Sequence, residues 1–286
     1  MNGPAMNTSI EEIDFHGTPA LKLNGPRSNS AVVSLLGGQL LSWITTDGRE
    51  RLFLSEKALF DGSVPIRGGM PICFPQFADS GPLPKHGLLR TRQWEVIARR
   101  CGDDYVLVTL AVGDDETSRS IWPHPFNADI TIMLEADRLD VEFGVDNSGS
   151  VPFSFTGALH TYLRLVQVED AAVEGGYGFM FVDKVSGEGP KKDTRTQILI
   201  ESETDLVYQD VSRPFLLKAG NHSLGLQAEG FPDVVIWNPW VEGCARLGDM
   251  APDGWKRMIC IEAAATEPVV VAAGESWSGR QSLVPL

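Results

Sequence analysis

Few of the usual markers of chemistry are present in this chain, and each absence removes a class of function. Its four cysteines, Cys73, Cys101, Cys244 and Cys260, lie far apart. Zinc ligands come in close cysteine or histidine pairs and disulfide scaffolds are small and cysteine-dense, so reduced, mostly buried thiols are expected. No His-x-x-x-His pair or dense carboxylate cluster argues for a catalytic metal. No apolar run reaches the ~18 residues of a membrane span. The first residues, MNGPAMNTSIEEIDFHG, lack both the basic and the apolar region of a secretory signal, so a cytoplasmic location is expected. A glycine-rich phosphate loop needs a strand before it and a helix after it; Arg67-Gly68-Gly69 has neither, which excludes nucleotide binding. A Gly-x-Ser-x-Gly elbow is missing too, which weakens a serine hydrolase reading. Basic residues are scarce: 24 against 38 acidic, a formal charge of −14. That field repels nucleic acid and anionic membranes, so neither is expected as a partner. An anionic small molecule remains admissible where a few arginines converge.

What is present is a chain of 286 residues, 43% hydrophobic and 22% charged, enough for one large domain or two ordinary ones. From Ala20 onward, short β-branched or apolar runs alternate with turn residues. Ala31–Leu36 ends at Gly37-Gly38, and Leu40–Thr45 ends at Asp47-Gly48, a hairpin signal. Glu56–Phe60 reads as one helical turn. Trp94–Arg99, Tyr105–Val112, Ala128–Glu135 and Leu139–Asp146 read as strands with near period-two alternation. Ser120–Phe126 is too proline-rich for a strand interior. Phe153–Val168 reads as one long apolar segment, and further strands are expected at Thr196–Ile200, Thr204–Tyr208, Ser223–Ala228, Asp233–Trp237, Met258–Ala263 and Val269–Ala272. Amphipathic helices alternating with strands are lacking, so the pattern predicts an all-β, antiparallel sandwich. No linker splits the chain; a single domain over 1–286 is expected, with residues 1–10 frayed.

The stretch Pro65–Trp94, PIRGGMPICFPQFADSGPLPKHGLLRTRQW, stands apart. Its prolines forbid a regular helix, while Ile66, Met70, Ile72, Phe74, Phe77, Leu83, Leu88 and Leu89 demand burial. A long, ordered loop of this kind, carrying Arg67, Gln76, His86 and Arg90, is usually functional; the alternative is a structural cap with surface charges. Lys85 and Arg92 read as solvent-facing. His160 lies in an apolar strand, either as a hydrogen-bonded core residue or as an acid–base group. Glu262, in MICIEAAA, is a carboxylate in a run that should be buried, and so is salt-bridged or functional.

The segments IRGGMPICFPQF, LPKHGLLR, WPHPF, TGALHTYLRL, VVIWNPW and MICIEAA resemble those of the aldose 1-epimerase superfamily. Within it they are most similar to the glucose-6-phosphate 1-epimerase (hexose-6-phosphate mutarotase) branch. They occur in family order from about Leu35 to Leu283. The resemblance implies a galactose-mutarotase-like β-supersandwich, no cofactor, and interconversion of the α and β anomers of a hexose 6-phosphate by a monomer. It implies His160 as catalytic acid and Glu262 as catalytic base, with Arg67, Gln76, His86, Arg90 and Asp205 binding the sugar phosphate. Leu206 departs from the arginine common in the family, and VEGCARLGDM from a lysine-containing form. An epimerase of neutral sugars and a non-catalytic carbohydrate-binding protein of the same fold remain as alternatives. One histidine with one carboxylate suits ring opening of a hemiacetal, whereas glycosidases commonly use two carboxylates.

Overall fold

In a computed structural model, which describes residues 8–286, the chain forms three antiparallel sheets. The first is a meander of four strands, Ser9–Phe15, Thr18–Asn24, Ser30–Ser34 and Leu40–Ile44. The second has nine strands and includes Glu95–Cys101, Tyr105–Gly113, Asn127–Glu135 and Arg138–Asp146 in consecutive hairpins, then Ser276–Pro285. The third, of eight strands, carries Met180–Asp183, Thr204–Tyr208, Asp233–Asn238, Met258–Val271, Phe153–Leu159 and Ile72–Cys73 in that spatial order. Alternation drives the assembly. In Tyr105–Gly113, Val106, Val108, Leu110 and Val112 all point inward and are buried, each contributing roughly 1.5–3 kcal/mol by leaving water. One buried cluster runs from Leu21 to Leu283, which ties both ends of the chain into a common core.

Several expectations change in detail. Residues 1–7 lie outside the described residues, but Ser9 and Ile10 are paired with Asn24 and Leu23 and are not frayed. Glu56–Phe60 forms no helix; Ala58 N–H closes a single turn on the Ser55 carbonyl. A short helix instead spans Glu116–Ile121, with a reciprocal capping box between Asp115 and Ser118, and ends before Pro123, which cannot continue it. Met258–Ala263 and Val269–Ala272 are parts of one strand, Met258–Val271. The segment expected as one long strand from Phe153 is broken into Phe153–Leu159 and Tyr162–Arg164. The interruption falls on His160 and Thr161.

The loop Pro65–Trp94 is anchored at the edge of the eight-stranded sheet, where Ile72 and Cys73 pair with Leu159 and Ala158. It threads between other segments at sites with no room for a side chain. Gly69, at φ 62°, donates its N–H to the Phe53 carbonyl, and a Cβ there would sit 2.2 Å from the Leu40 carbonyl oxygen. Gly87, at φ 75°, would bring a Cβ to 2.0 Å from the Phe74 oxygen. Ile66, Met70, Ile72, Phe74, Phe77 and Leu89 are buried as their character demands, while Leu83 and Leu88 are half-buried.

Candidate active site

A cleft of about 950 Å³ opens over the outer face of the eight-stranded sheet, between it and the Pro65–Trp94 loop. Strand register fixes its floor. Asp205 pairs with Trp237, Trp237 with Cys260, and Cys260 with Tyr162, making one row across four strands. The adjoining row runs Val207, Val235, Glu262. A bulge between Phe155 and Gly157 resets the pairing with Met258–Val271, and the new register holds from Leu159↔Ala263 to Tyr162↔Cys260. His160 therefore faces Glu262, and Thr161 faces Ile261. Thr156, the single residue opposite the extra residues Thr266, Glu267 and Pro268, accepts a hydrogen bond from Phe77 N–H and so ties the loop to the strand.

His160 Nδ1 lies 3.3 Å from Glu262 Oε1, yet neither Nδ1 nor Glu262 Oε2 completes a hydrogen bond. Both side chains are buried, at 7% and 1% exposure. Buried polar atoms without partners are rare, and here both border an open cleft. Burial pushes the Glu262 carboxyl well up, helped by the charge of Asp205. Burial also pulls His160 well down, with His86, Arg90 and Arg67 adding to it. Both shifts favour uncharged forms. Rings hold the imidazole in place: Tyr162 stacks on it at 4.8 Å and 11°, and Trp237 meets it edge-on at 5.8 Å.

The loop supplies the opposite wall. His86 has φ 62°, strained for a residue with a Cβ. Its N–H donates to the Ala78 carbonyl and its Nδ1 accepts from Ala78 N–H, with Cys73 Sγ 3.2 Å away. An accepting Nδ1 puts the ring proton on Nε2. Burial, then the Arg90, Lys85 and Arg67 charges, depress the imidazole to about 3. His86 is thus a neutral donor near neutrality. The same burial, eased by Arg90, pushes the Cys73 thiol up to about 12.

The two arginines differ in commitment. Arg67 Nε is 3.1 Å from Asp249 and its Nη1 donates to the Tyr162 hydroxyl. Burial pulls this guanidinium down, but Tyr162 and Asp249 outweigh it and the net shift is up. The Gln39 amide holds the carbonyls of Ile66 and Gly68 on either side. Arg90 donates only to the Lys85 carbonyl, and its Nε is buried without a partner. Among the described residues, no acidic group pairs with Arg90, Lys85 or Lys184, and all three line the cleft. Lys85, expected to be a bystander, is therefore part of the cleft. Arg92 is not: it pairs with Asp115 and the Gly113 carbonyl.

Five of the seven residues singled out in the sequence beyond the loop's framework, His160, Glu262, Arg67, His86 and Arg90, meet at one end of the cleft, and Asp205 joins them from the Thr204–Tyr208 strand. Burial raises the Asp205 carboxyl to about 6, against the opposing pull of Lys184 and Lys85. Its neighbour Leu206 faces the core, so an arginine there would need a different strand orientation to reach the cleft. Gln76 is placed elsewhere. Its amide is consumed inside the loop, donating to the Leu83 and Ala78 carbonyls and accepting from Leu83 N–H. It shapes the wall and does not line the cavity. Sequence reasoning passed over Tyr162, Trp237, Lys184 and Asp249. Tyr162 and Trp237 carried a usable signal: each lies on the same strand face as, or in register with, a residue already chosen.

Donor atoms of His160, Cys260 and Glu262 lie within 4.8 Å of one another. Cys260 sits beneath the Tyr162 and Trp237 rings, and burial, with the Glu262 charge, pushes its thiol well up. A protonated thiol within reach of the Arg67 charge makes this a poor donor set for a dication.

An antiparallel β-sandwich whose open sheet face presents an imidazole against a carboxyl in one cleft belongs to the class of β-sandwich proteins equipped for acid–base chemistry. The sequence model described as aldose 1-epimerase matches residues 19–284, and the chain belongs to that family. It is 33% identical to a Cenchrus ciliaris protein named "putative glucose-6-phosphate 1-epimerase", over 93% of this chain and 84% of that one. A protein of the same name from Escherichia coli is 31% identical over 82% of this chain and 79% of its own length. A crystal structure of a "putative mutarotase" from Salmonella typhimurium superposes with a TM-score of 0.88 at 27% identity, covering 99% of this chain and 96% of that one. The fold is the galactose-mutarotase-like β-supersandwich.

Proposed function

We propose that the protein interconverts the α and β anomers of a hexose 6-phosphate, glucose 6-phosphate first among them. The observation that carries this reading is the His160–Glu262 pair, 3.3 Å apart with unused polar atoms, in a cleft where Lys85, Arg90 and Lys184 stand without acidic partners alongside the carboxyls of Asp79, Asp205 and Glu267. In a protein of net charge −14, cations without acidic partners converging on one cleft are what an anionic substrate requires. The names of the two relatives agree with it.

The chemistry needs one proton on the pair. Glu262 as carboxylate removes the proton of the anomeric hydroxyl while His160 as imidazolium protonates the ring oxygen, and the bond between the anomeric carbon and the ring oxygen breaks. Rotation about the neighbouring carbon–carbon bond presents the other carbonyl face. Closure then runs with the roles reversed, returning both protons. The uncharged pair differs from the ion pair only by the position of one proton, so bound hydroxyls that solvate the charges are enough to make it competent. Asp205 and the Nε2–H of His86 are placed to hold sugar hydroxyls, and Arg90 with Lys184 and Lys85 to hold the phosphate. We take it to act as a monomer of one domain, in the cytoplasm with its sugar phosphate. No helix is long and apolar enough to cross a membrane.

Polarimetry on freshly dissolved pure anomers tests the proposal. Faster approach to equilibrium with glucose 6-phosphate than with glucose is expected. Equal acceleration of both sugars would assign the protein to neutral sugars, and no acceleration of either would reduce it to a binding protein.

A further inference from the structure

At the break that carries His160, the antiparallel ladder is incomplete by one hydrogen bond. Thr161 and Ile261 face each other, and Ile261 N–H donates to the Thr161 carbonyl at 3.1 Å. The reciprocal bond, from Thr161 N–H to the Ile261 carbonyl, is missing because Thr161 N–H turns back to the Leu159 carbonyl. His160 N–H points to the other side and donates to the Pro71 carbonyl, in register with the pairing of Leu159 and Ile72. This local rewinding sets the imidazole over the cleft, and it leaves the Ile261 carbonyl without its ladder partner in the dry interior. An unpaired carbonyl there costs about 1–3 kcal/mol.

The missing rung is filled from the other sheet. Gln281, on the Ser276–Pro285 strand, is 2% exposed. Its Nε2 donates to the Ile261 carbonyl at 3.0 Å, and its Oε1 accepts from the Thr161 hydroxyl. One amide therefore grips the residue after His160 and the residue before Glu262. We propose that Gln281 is a positioning residue for the reaction: it replaces the lost ladder bond and fixes the spacing of the acid–base pair from beneath. It touches no substrate. An amide has one donor and one acceptor edge side by side, which is what a carbonyl and a hydroxyl across a broken rung require. Apolar side chains of similar volume fill the space but leave the break free to relax, and a displacement of about 1 Å between reacting groups costs on the order of a hundredfold in rate.

This inference rests on anomerisation being the reaction, and the experiment separates the two. Gln281→Met keeps length and volume. It should lower kcat by about tenfold or more with KM changed less than about threefold. Its alkaline pH limb should move down as water reaches Glu262. Thr161→Ser, which keeps the hydroxyl, should retain wild-type kcat, whereas Thr161→Val should lose part of it. A folded Gln281→Met protein with wild-type kcat and pH profile would overturn the proposal. Should that variant not be recovered folded, equal kcat for Thr161→Val and Thr161→Ser overturns it instead. An inactive wild type would refute the anomerase reading itself, an outcome distinct from either.

Discussion

His160 and Glu262 are cross-strand neighbours beside a broken rung of their ladder, with Nδ1 3.3 Å from Oε1 and neither atom set saturated by the protein. More than a hundred residues of sequence separate them, and a bulge at Thr266–Pro268, opposite Thr156, sets the register in which they face each other. A shift of one residue would carry Glu262 to the core side of the sheet.

Removing either member should stop the chemistry and spare the fold. Glu262→Gln and His160→Ala are each expected to lower anomerisation about a hundredfold, the scale of positioned acid–base groups. Both should stay folded, and Glu262→Gln should melt at or above the wild-type temperature, since it deletes a carboxylate whose charge burial disfavours. Near-wild-type rates in both variants would make the pair structural.

The pH dependence should be broad. Because burial lowers His160 and raises Glu262, the two-proton form persists only well below the usual imidazole value of 6.5, and the proton-free form appears only well above the usual carboxyl value of 4.5. The one-proton state then lies between these two transitions, and both limbs belong to the pair. Rate measurements with chemistry limiting should give a wide plateau. A narrow peak confined between 4.5 and 6.5 would mean that neither group is perturbed.

The cations should sort by their partners. Arg90→Ala and Lys184→Ala are expected to raise KM for glucose 6-phosphate about ten- to hundredfold, the loss of a charge-assisted contact of about 1.5–3 kcal/mol, with little effect on glucose. Arg67→Ala should instead lower kcat on both sugars, because its guanidinium braces Tyr162, which stacks on His160. Arg92→Ala, outside the cleft, serves as the control. Equal losses on both sugars for Arg90→Ala would take it out of phosphate binding.

Asp205 should trade stability for activity. Its carboxyl is raised from 3.8 to about 6 in the folded chain, so its contribution is complete below 3.8 and is lost as pH rises through about 6. Asp205→Asn removes that penalty. The variant's melting temperature should exceed the wild type's by a margin that grows from pH 4 to 7, roughly the window of this titration, while kcat/KM falls. A margin independent of pH would show that Asp205 titrates normally.

Local chemistry made much of this legible in the sequence. Alternating apolar residues at Tyr105–Gly113 and Asn127–Glu135 specify half-buried antiparallel strands whatever their partners. The prolines and glycines around Arg67 and His86 exclude helix, and a carboxylate inside MICIEAAA must either pair or act. The family segments added the roles of His160, Glu262 and Asp205. Tertiary structure alone decided the rest, because register and charge compensation are relations between distant segments. Nothing near Gln76 in sequence says that its amide is spent on Leu83, and nothing near Arg67 says that Asp249 neutralises it while Arg90 stays unpaired. Phe153–Val168 is apolar throughout and reads as one strand. Its break at His160 and Thr161 goes with Thr161 N–H turning back to the Leu159 carbonyl, and Gln281, from the opposite sheet, supplies the hydrogen bond that the ladder gives up.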